Sequence, residues 1–151
     1  MPSSKNLRHI AIDILSRRDN SIREMRQKLK KKGIGQDDID ETILWLQEKK
    51  LLDDNVFAQK KAESIFRTKI VGPLYIRIKL KAAGIEDNII EETLDSLASD
   101  EKWRSRAKQA IEQWQKAHPK HANDKIRHMR FLASRGFALR QSSGQDEEFE
   151  S

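Results

Sequence analysis

The chain has no cysteine among its 151 residues. Disulfide bonds, thiolate metal sites and cysteine nucleophiles are therefore excluded, and a reducing compartment is weakly favoured. No run approaches the roughly 18 apolar residues of a membrane span. The amino-terminal residues MPSSKNLRHI also lack the apolar core of a signal peptide. We expect a cytoplasmic protein with no membrane partner.

Catalytic motifs are missing as well. Gly33 and Gly35 form a G-x-G, but it follows a predicted helix rather than a strand, which excludes a dinucleotide-binding loop. No phosphate-binding loop or nucleophile elbow is present. His118 and His121 lie on either side of Pro119, but no third ligand is close in sequence, so they predict no metal site. We expect a protein that is not an enzyme and uses no metal or cofactor.

Charge is the first positive feature of the sequence. Thirty Lys and Arg residues face 24 Asp and Glu residues, which gives a net charge of +6 and a pI near 9.6. Residues 1–51, 52–99 and 100–151 carry +4, −1 and +3, so the basic character lies at the two ends. A modest basic excess of this kind favours an anionic partner.

An internal repeat organises the chain. The segments SIREMRQKLKKKGI (21–34) and GPLYIRIKLKAAGI (72–85) align without gaps at a shift of 51, and DKIRHMRFLASRGF (124–137) follows after a further 52. Each segment has a leucine four residues before a glycine, and an apolar residue after it. These positions are Leu29, Gly33 and Ile34; Leu80, Gly84 and Ile85; and Leu132, Gly136 and Phe137. The pattern is typical of a helix that ends at a glycine in the left-handed conformation.

Apolar residues at helical spacing surround each copy, and nothing reads as a strand. We predict an all-α fold with repeat 1 over 1–51, repeat 2 over 52–99 and repeat 3 over 100–140. The third repeat has only two helices, because its last one would need apolar residues at 142, 146 and 149, where Ser, Asp and Phe stand. Eight helices are therefore expected. The polar and acidic stretch 141–151 predicts a disordered tail.

Four segments together resemble the RecX family of recombination regulators over about residues 7 to 140. They are SIREMRQKLKKKGI, LLDDNVFAQKKAESIFR (51–67), GPLYIRIKLKAAGI and RFLASRGF (130–137). The resemblance implies a curved, elongated array of three tandem three-helix repeats with helices at right angles.

The resemblance also implies a function. A RecX-like chain would lodge, as a monomer, in the groove of the RecA filament on single- or double-stranded DNA. There it would inhibit or modulate strand exchange, ATP hydrolysis and coprotease action in DNA repair and the SOS response. A truncated third repeat would shorten the footprint on the filament.

Twelve basic residues on the middle helices of the three repeats are the candidate contacts for RecA or DNA. They are Arg23, Arg26, Lys28, Lys30, Lys31, Lys32, Arg77, Lys79, Lys81, Arg127, Arg130 and Arg135. A cationic helix can lie along a phosphate backbone or an acidic protein surface. The alternative is a solvated face whose cations are stabilised near a helix C-terminus.

Three further interpretations depend on tertiary structure. The fifth helix has apolar residues on both sides, so we expect Leu74 and Ile78, opposite the main stripe, to be covered by a neighbouring repeat. Trp45 is interpreted as a contact between repeats, or else as an exposed anchor for a partner. An alternative function is a stand-alone DNA-binding repeat protein with one helix in the major groove. The lysine-rich end of the second helix, however, suits phosphate contact better than base readout.

Overall fold

A computed structural model of the chain describes residues 3–137. These residues form eight α-helices and no strand, as the sequence predicted. The helices are α1 Ser4–Arg17, α2 Ile22–Lys31, α3 Gln36–Glu48, α4 Asp54–Thr68, α5 Pro73–Ala82, α6 Asp87–Leu97, α7 Asp100–Ala117 and α8 Lys125–Ser134. A short 3₁₀ turn, Pro119–His121, separates α7 from α8. The predictions of a lost ninth helix and of a disordered acidic tail fall on residues outside the described range. Within 3–137, no helix is both long and apolar enough to cross a membrane.

Side-chain caps fix where the helices begin. Ser21 and Glu24 form a capping box at the start of α2, and Pro73 is the first residue of α5, as the sequence predicted. The two acids at the start of α4 have different roles. Asp53 Oδ1 accepts the backbone N–H of Asn55 at 2.9 Å, whereas Asp54 Oδ1 accepts the N–H of Ile22 at 2.8 Å. Asp54 therefore ties α4 to the first turn of α2.

The three repeated glycines end α2, α5 and α8 in the same way. Gly33, Gly84 and Gly136 have φ angles of 83°, 87° and 83°, in the left-handed region that favours glycine. In each copy the N–H of the following apolar residue bonds back to the leucine carbonyl, at 3.3, 3.1 and 2.9 Å. This is the Schellman pattern. The predicted helix ends are confirmed.

The backbone divides into two compact units, and α4, α5 and α6 each contribute residues to both. Of the described residues, unit 1 holds those up to Lys61 together with Leu80–Thr93, and unit 2 holds Ala62–Lys79 together with those from Leu94 onward. The predicted repeat boundaries at 51 and 99 stay predictions.

Each unit has its own apolar core. In unit 1 the first three helices bury the cluster Leu7, Ala11, Ile14, Met25, Leu29, Ile34, Ile39, Ile43, Leu46 and Leu52. In unit 2 a smaller cluster joins Ala107, Ala110, Leu132 and Phe137, with Ile70, Ile111 and Phe131 partly buried against it. The leucine and the apolar residue that flank each repeated glycine are buried throughout. The sequence pattern had marked these residues as core.

A corresponding junction between middle helices occurs once in each unit. In unit 1, Ser21 Oγ at the start of α2 donates to the carbonyl of Ala83 at the end of α5, at 2.5 Å. In unit 2, the N–H of Gly72 before α5 donates to the carbonyl of Arg135 at the end of α8, at 2.8 Å. Ser21 and Gly72 are equivalent positions of the repeat, as are Ala83 and Arg135. Each junction therefore seats the start of one middle helix on the end of the next.

Candidate functional site

Two of the candidate arginines on α2 already have partners inside unit 1. Arg23 donates from Nη2 to the carbonyl oxygen of Ala82 at 2.6 Å. Arg26 donates from Nη1 to Asp40 Oδ1 at 2.6 Å. This hydrogen bond is the main reason why the pKa of Asp40 lies below its usual value, and a second one from Gln36 acts in the same direction. Both arginines therefore stabilise the unit, which reduces their availability to a partner.

Lys28 is also engaged within the chain. Its Nζ donates to Asn20 Oδ1 at 2.6 Å, and Asn20 is itself buried. Burial lowers the pKa of Lys28, the charge of Arg18 lowers it further, and the charge of Glu24 opposes both. Lys28 is therefore already engaged in a contact that stabilises unit 1.

The other three cations of α2 are different. Lys30, Lys31 and Lys32 are exposed, and none of their side chains has a hydrogen bond or ion pair with any residue of the described range. They occupy the last turn and the C-cap, where the helix dipole favours positive charge. This is the densest group of unpaired cations among the candidate residues.

The candidates on α5 have mixed environments. Arg77 is partly buried and has interactions within the chain. Lys81 forms an exposed ion pair with Asp87, with 3.2 Å between Nζ and Oδ1, and exposed pairs of this kind stabilise a protein only slightly. Lys79 lies over the ring of Tyr75, with its Nζ 5.4 Å from the ring centroid. Lys79 and Lys81 thus remain accessible to an anion.

The candidate arginines on α8 differ in whether groups within the chain already contact them. Arg127 pairs with Asp124, with 3.1 Å between Nε and Oδ2. Arg130 is exposed and has no ion pair within residues 3–137. Arg135 lies over the ring of Phe131, with its guanidinium carbon 5.3 Å from the centroid. Lys79 and Arg135 both belong to unit 2, whereas a single cationic strip shared by α2, α5 and α8 stays a prediction.

The expectation that both apolar sides of α5 are covered is wrong for Leu74 and Ile78. Leu74 is 39% exposed and Ile78 is 58% exposed. The buried side of the helix is formed by Ile76 and Leu80, which are fully buried. Periodicity identifies an apolar face but cannot show whether another element covers it. The uncovered pair, one turn apart on the helix, is an apolar contact surface between basic residues.

Trp45 has contacts within repeat 1, and its interpretation as a contact between repeats stays a prediction. Trp45 is partly buried against the core of the first three helices. The guanidinium of Arg8, on α1, lies 4.7 Å from its ring centroid. A cation over an indole face is attracted by the ring quadrupole. Trp45 therefore stabilises the packing of α1 against α3 within repeat 1.

Sequence reasoning missed two basic residues, Lys69 and Arg106, that lie together in unit 2. Lys69 Nζ donates to the hydroxyl of Tyr75 at 3.0 Å. The guanidinium of Arg106, on α7, lies 3.8 Å from the ring centroid of Phe66. It donates to the carbonyls of Phe66 at 2.6 Å and Lys69 at 2.5 Å. Arg106 thus fixes the segment after α4 that holds Lys69. Arg106 is 37 positions from Lys69 and 40 from Phe66 in the sequence, so no local pattern predicts these hydrogen bonds.

The described residues also bear on the metal-site prediction. Among residues 3–137, no three His, Asp or Glu side chains are grouped so that they could hold a metal ion. His118, one of the two histidines considered from the sequence, instead stacks on Trp114 at 4.6 Å between ring centroids. The arrangement offers exposed cations together with the uncovered apolar side chains of Leu74 and Ile78.

The fold and these surfaces define a helical-repeat protein built from tandem three-helix domains. The family models agree with that class: RecX, first three-helix domain, matches residues 8–46, and RecX, second three-helix domain, matches residues 53–94. The chain belongs to the RecX family.

Individual relatives support the same assignment. The chain is 36% identical to the regulatory protein RecX of Chlorobaculum tepidum, covering 84% of this chain and 78% of that protein. It is 31% identical to the regulatory protein RecX of Salmonella newport, covering 91% and 88%. The crystal structure of RecX from Lactobacillus salivarius has the same fold, with a TM-score of 0.83, 23% identity, and coverage of 97% of this chain and 94% of that one. The all-α fold and the tandem three-helix domains are confirmed.

Proposed function

We propose that this protein binds the RecA filament on DNA and restrains strand exchange, ATP hydrolysis and coprotease action by occupancy, without catalysing a reaction. The observation that carries the proposal is the tandem match of two RecX domains over residues 8–46 and 53–94, because relatives of similar length are regulatory proteins. On this proposal the protein acts as a monomer in the cytoplasm, in the context of DNA repair and the SOS response.

The exposed lysines at the end of α2 support an anionic partner. Lys30, Lys31 and Lys32 have no acidic partner within the described residues, so a phosphate or carboxylate surface can pair with all three. A helix of 10 residues spans only about 15 Å. Contact with successive subunits of a filament therefore needs more than one helix, which tandem domains supply.

The uncovered apolar pair on α5 supports a protein component of the partner. Leu74 and Ile78 are 39% and 58% exposed, and apolar side chains make little use of a phosphate backbone, which is read mainly by hydrogen bonds and charge. A protein surface with an apolar pocket bordered by acidic residues matches this helix. The proposed partner is therefore RecA together with DNA rather than naked duplex.

The test is titration into RecA filaments preformed on single-stranded DNA, with ATP hydrolysis and strand exchange as readouts. The triple variant Lys30→Gln, Lys31→Gln, Lys32→Gln should require about ten times more protein for the same effect. Three exposed ion pairs of roughly 0.5 kcal/mol each are together worth about that factor. The difference should shrink as salt rises, because exposed pairs are screened.

A matched control removes the same charge elsewhere. Lys102, Lys108 and Lys116 on α7 are exposed and have no ion pair in the described part of the chain, so their triple replacement by Gln should leave the titration unchanged. If the α2 variant binds filaments like the parent at two salt concentrations, the role of the lysines is refuted. If the parent protein leaves filaments unaffected at stoichiometric amounts but binds naked DNA tightly, a stand-alone DNA-binding function replaces the proposal.

A further inference from the structure

Two lysines lie beside the phenol of Tyr75 in unit 2, and the charge of Arg135 also acts on it. Lys69 Nζ lies 3.0 Å from the Tyr75 hydroxyl oxygen and 5.3 Å from the ring centroid. Lys79 Nζ lies 5.4 Å from the same centroid. Arg135 is held beside them, because its carbonyl accepts the N–H of Gly72 at 2.8 Å and the next residue abuts the Tyr75 backbone. We name Lys69, Tyr75, Lys79 and Arg135 the Tyr75 cluster.

The Tyr75 cluster has no acidic partner among residues 3–137. No carboxylate of residues 3–137 forms an ion pair with Lys69, Lys79 or Arg135. The hydrogen bond from Lys69 is the main cause that lowers the pKa of Tyr75, and the charges of Lys69, Lys79 and Arg135 act in the same direction. Like charges held together without an anion repel one another. A bound anion would relieve that repulsion.

The side chains of Lys69, Lys79 and Arg135 are exposed, so their donors are accessible to a ligand. The Tyr75 oxygen accepts the hydrogen bond from Lys69, so its own proton is available to a second acceptor, and none of the described residues takes it. An ammonium offers three donors and a guanidinium offers a planar fork that fits two oxygens. Donors from four side chains suit a group with several oxygens and a chain that repeats its negative charge.

A cleft of about 270 Å³ adjoins the cluster at Arg135. Ile70, Ala110 and Phe131 give it apolar walls, while Thr68 and Gln113 supply polar groups. Its volume lies just below the roughly 300–1,000 Å³ of pockets for small ligands, so it suits a group of the size of one nucleobase. Bases of a single strand can enter such a cleft, whereas those of a duplex are stacked and paired.

We propose that the Tyr75 cluster binds a phosphodiester of single-stranded DNA, with an adjacent base in the cleft beside Arg135. The proposal deepens the proposed function and rests on it only in assuming that the partner includes DNA. An acidic protein surface matches the cluster less well, because a carboxylate side chain brings no flat base for the cleft. Positive surface combined with an aromatic side chain is the usual design of single-strand binding.

The test measures anisotropy of a fluorescent oligothymidine at several salt concentrations with the whole protein. The double variant Lys69→Gln, Lys79→Gln should bind about ten times more weakly and lower the slope of log Kobs against log[salt] by about 1.4, at roughly 0.7 for each phosphate contact. Replacing Lys108 and Lys116 by Gln, which removes the same charge from α7, should change neither quantity. Circular dichroism melting confirms that each variant is folded.

Two single variants separate the parts of the site. Tyr75→Phe keeps the ring and removes only the hydroxyl, so affinity should fall about threefold to fivefold, in line with one hydrogen bond, with an unchanged salt slope. Gln113→Ala, at the cleft, should weaken binding of oligothymidine but not of a strand without bases. A merely structural role for either side chain would not produce these selective effects.

The decisive outcomes distinguish this site from the proposed function. Unchanged affinity and slope for the double variant would overturn the phosphate site, and stronger competition by polyglutamate than by oligothymidine would reassign the cluster to a protein partner. Filament restraint that persists in the double variant, with loss of oligothymidine binding, would support both claims as separate contacts. Oligothymidine binding through the cluster by a protein that leaves RecA filaments unaffected would refute the proposed function and keep the site.

Discussion

Asp54 shows how one side chain is held between favourable and unfavourable contacts. Its carboxylate accepts the N–H of Ile22 at 2.8 Å, which satisfies a donor at the start of α2. Burial nevertheless raises the pKa of Asp54, and the nearby charges of Asp53, Glu86 and Glu24 raise it further. Because the folded pKa lies above the unfolded one, ionisation costs stability. The loss begins as pH rises above about 4, the ordinary pKa of Asp.

The variant Asp54→Asn should therefore be more stable than the parent at pH 7, since the amide oxygen still accepts the Ile22 N–H without adding charge. The gain should lie at the low end of the roughly 0.5–2 kcal/mol usual for improved charge placement, because solvent screens a partly exposed group. Urea unfolding at pH 7 and pH 4 measures it, and the gain should shrink at the lower pH.

The neighbouring acid provides the control for Asp54. Asp53 caps α4 through its Oδ1, and its charge is favourable at a helix N-terminus. Asp53→Asn should be neutral or slightly destabilising at pH 7. If Asp54→Asn is the more destabilising of the two, the hydrogen bond of the carboxylate outweighs the cost of its burial, and the ionised Asp54 does not lower stability at pH 7.

At the scale of elements, the repeated glycines differ in their surroundings although their φ angles agree. A Cβ on Gly33 would meet nothing within 4 Å. On Gly84 it would come closer than 3.0 Å to the side chain of Arg23, and on Gly136 closer than 3.0 Å to the backbone of Tyr75. Gly84 and Gly136 lie at the two middle-helix junctions, so they are needed both for the turn and for the close approach.

Alanine substitutions at the three glycines should lower the free energy of unfolding by amounts that follow how crowded each position is. Gly33→Ala should cost about 1–2 kcal/mol, the usual penalty of the left-handed conformation. Gly136→Ala should cost roughly a further 1–3 kcal/mol from overpacking. Gly84→Ala should fall between them, because the Arg23 side chain can partly move. Denaturant midpoints provide the measurement.

Gly35 is the internal reference for this series. It precedes α3 with a φ of −71°, and a Cβ there would meet nothing within 4 Å. Gly35→Ala should cost less than about 1 kcal/mol, because the loss is only that of a glycine N-cap replaced by alanine. Equal losses for Gly33→Ala and Gly136→Ala would mean that the junction tolerates a side chain, contrary to its geometry.

At the scale of the whole molecule, the net charge of +6 is less informative than which cations lack partners. Arg23, Arg26 and Lys28 hold unit 1 together, whereas Lys30, Lys31 and Lys32 have no partner in the range that the structure describes. Long-range attraction of an anionic filament depends on all of them. Direct ion pairs with the proposed partner depend mainly on Lys30, Lys31 and Lys32.

The apolar pair on α5 should contribute to the affinity for the proposed partner by an amount that does not depend on salt concentration. The variant Leu74→Ser, Ile78→Ser should weaken binding to RecA filaments about tenfold, because fully burying each side chain is worth about 1.5–3 kcal/mol and both are already partly covered. The deficit should remain at high salt. Filament binding at two salt concentrations measures it, and protein stability should change by no more than about 0.5 kcal/mol for each exposed site.

Leu44 and Val56, 60% and 48% exposed, provide the matched control, since they lie on α3 and α4 rather than on a middle helix. Their double replacement by Ser should leave filament binding unchanged. Equal effects of the two double variants would show that general surface hydrophobicity, and not the face of α5, determines affinity. A Leu74 and Ile78 variant that binds like the parent would remove α5 from the proposed contact.

The sequence by itself determined the helices, their ends and most of the core. Periodicity of 3.6, caps such as Ser21, and the three Leu-x₃-Gly-apolar endings are local, because each depends on residues within about one turn. That is why the eight helices and the buried leucines Leu29, Leu80 and Leu132 could be predicted. The twelve candidate cations were likewise visible as charge on middle helices.

Only the tertiary structure decided which of those residues are free to bind. The engagement of Arg23 by Ala82, the exposure of Ile78 and the placement of Arg135 and Lys69 around Tyr75 all depend on residues brought together from distant parts of the chain. Contacts of that kind are set by how helices pack, and one sequence contains no local signal for them. Charge and periodicity therefore identify candidates, while burial and partners show which of them are already engaged within the chain and which stay candidates for binding.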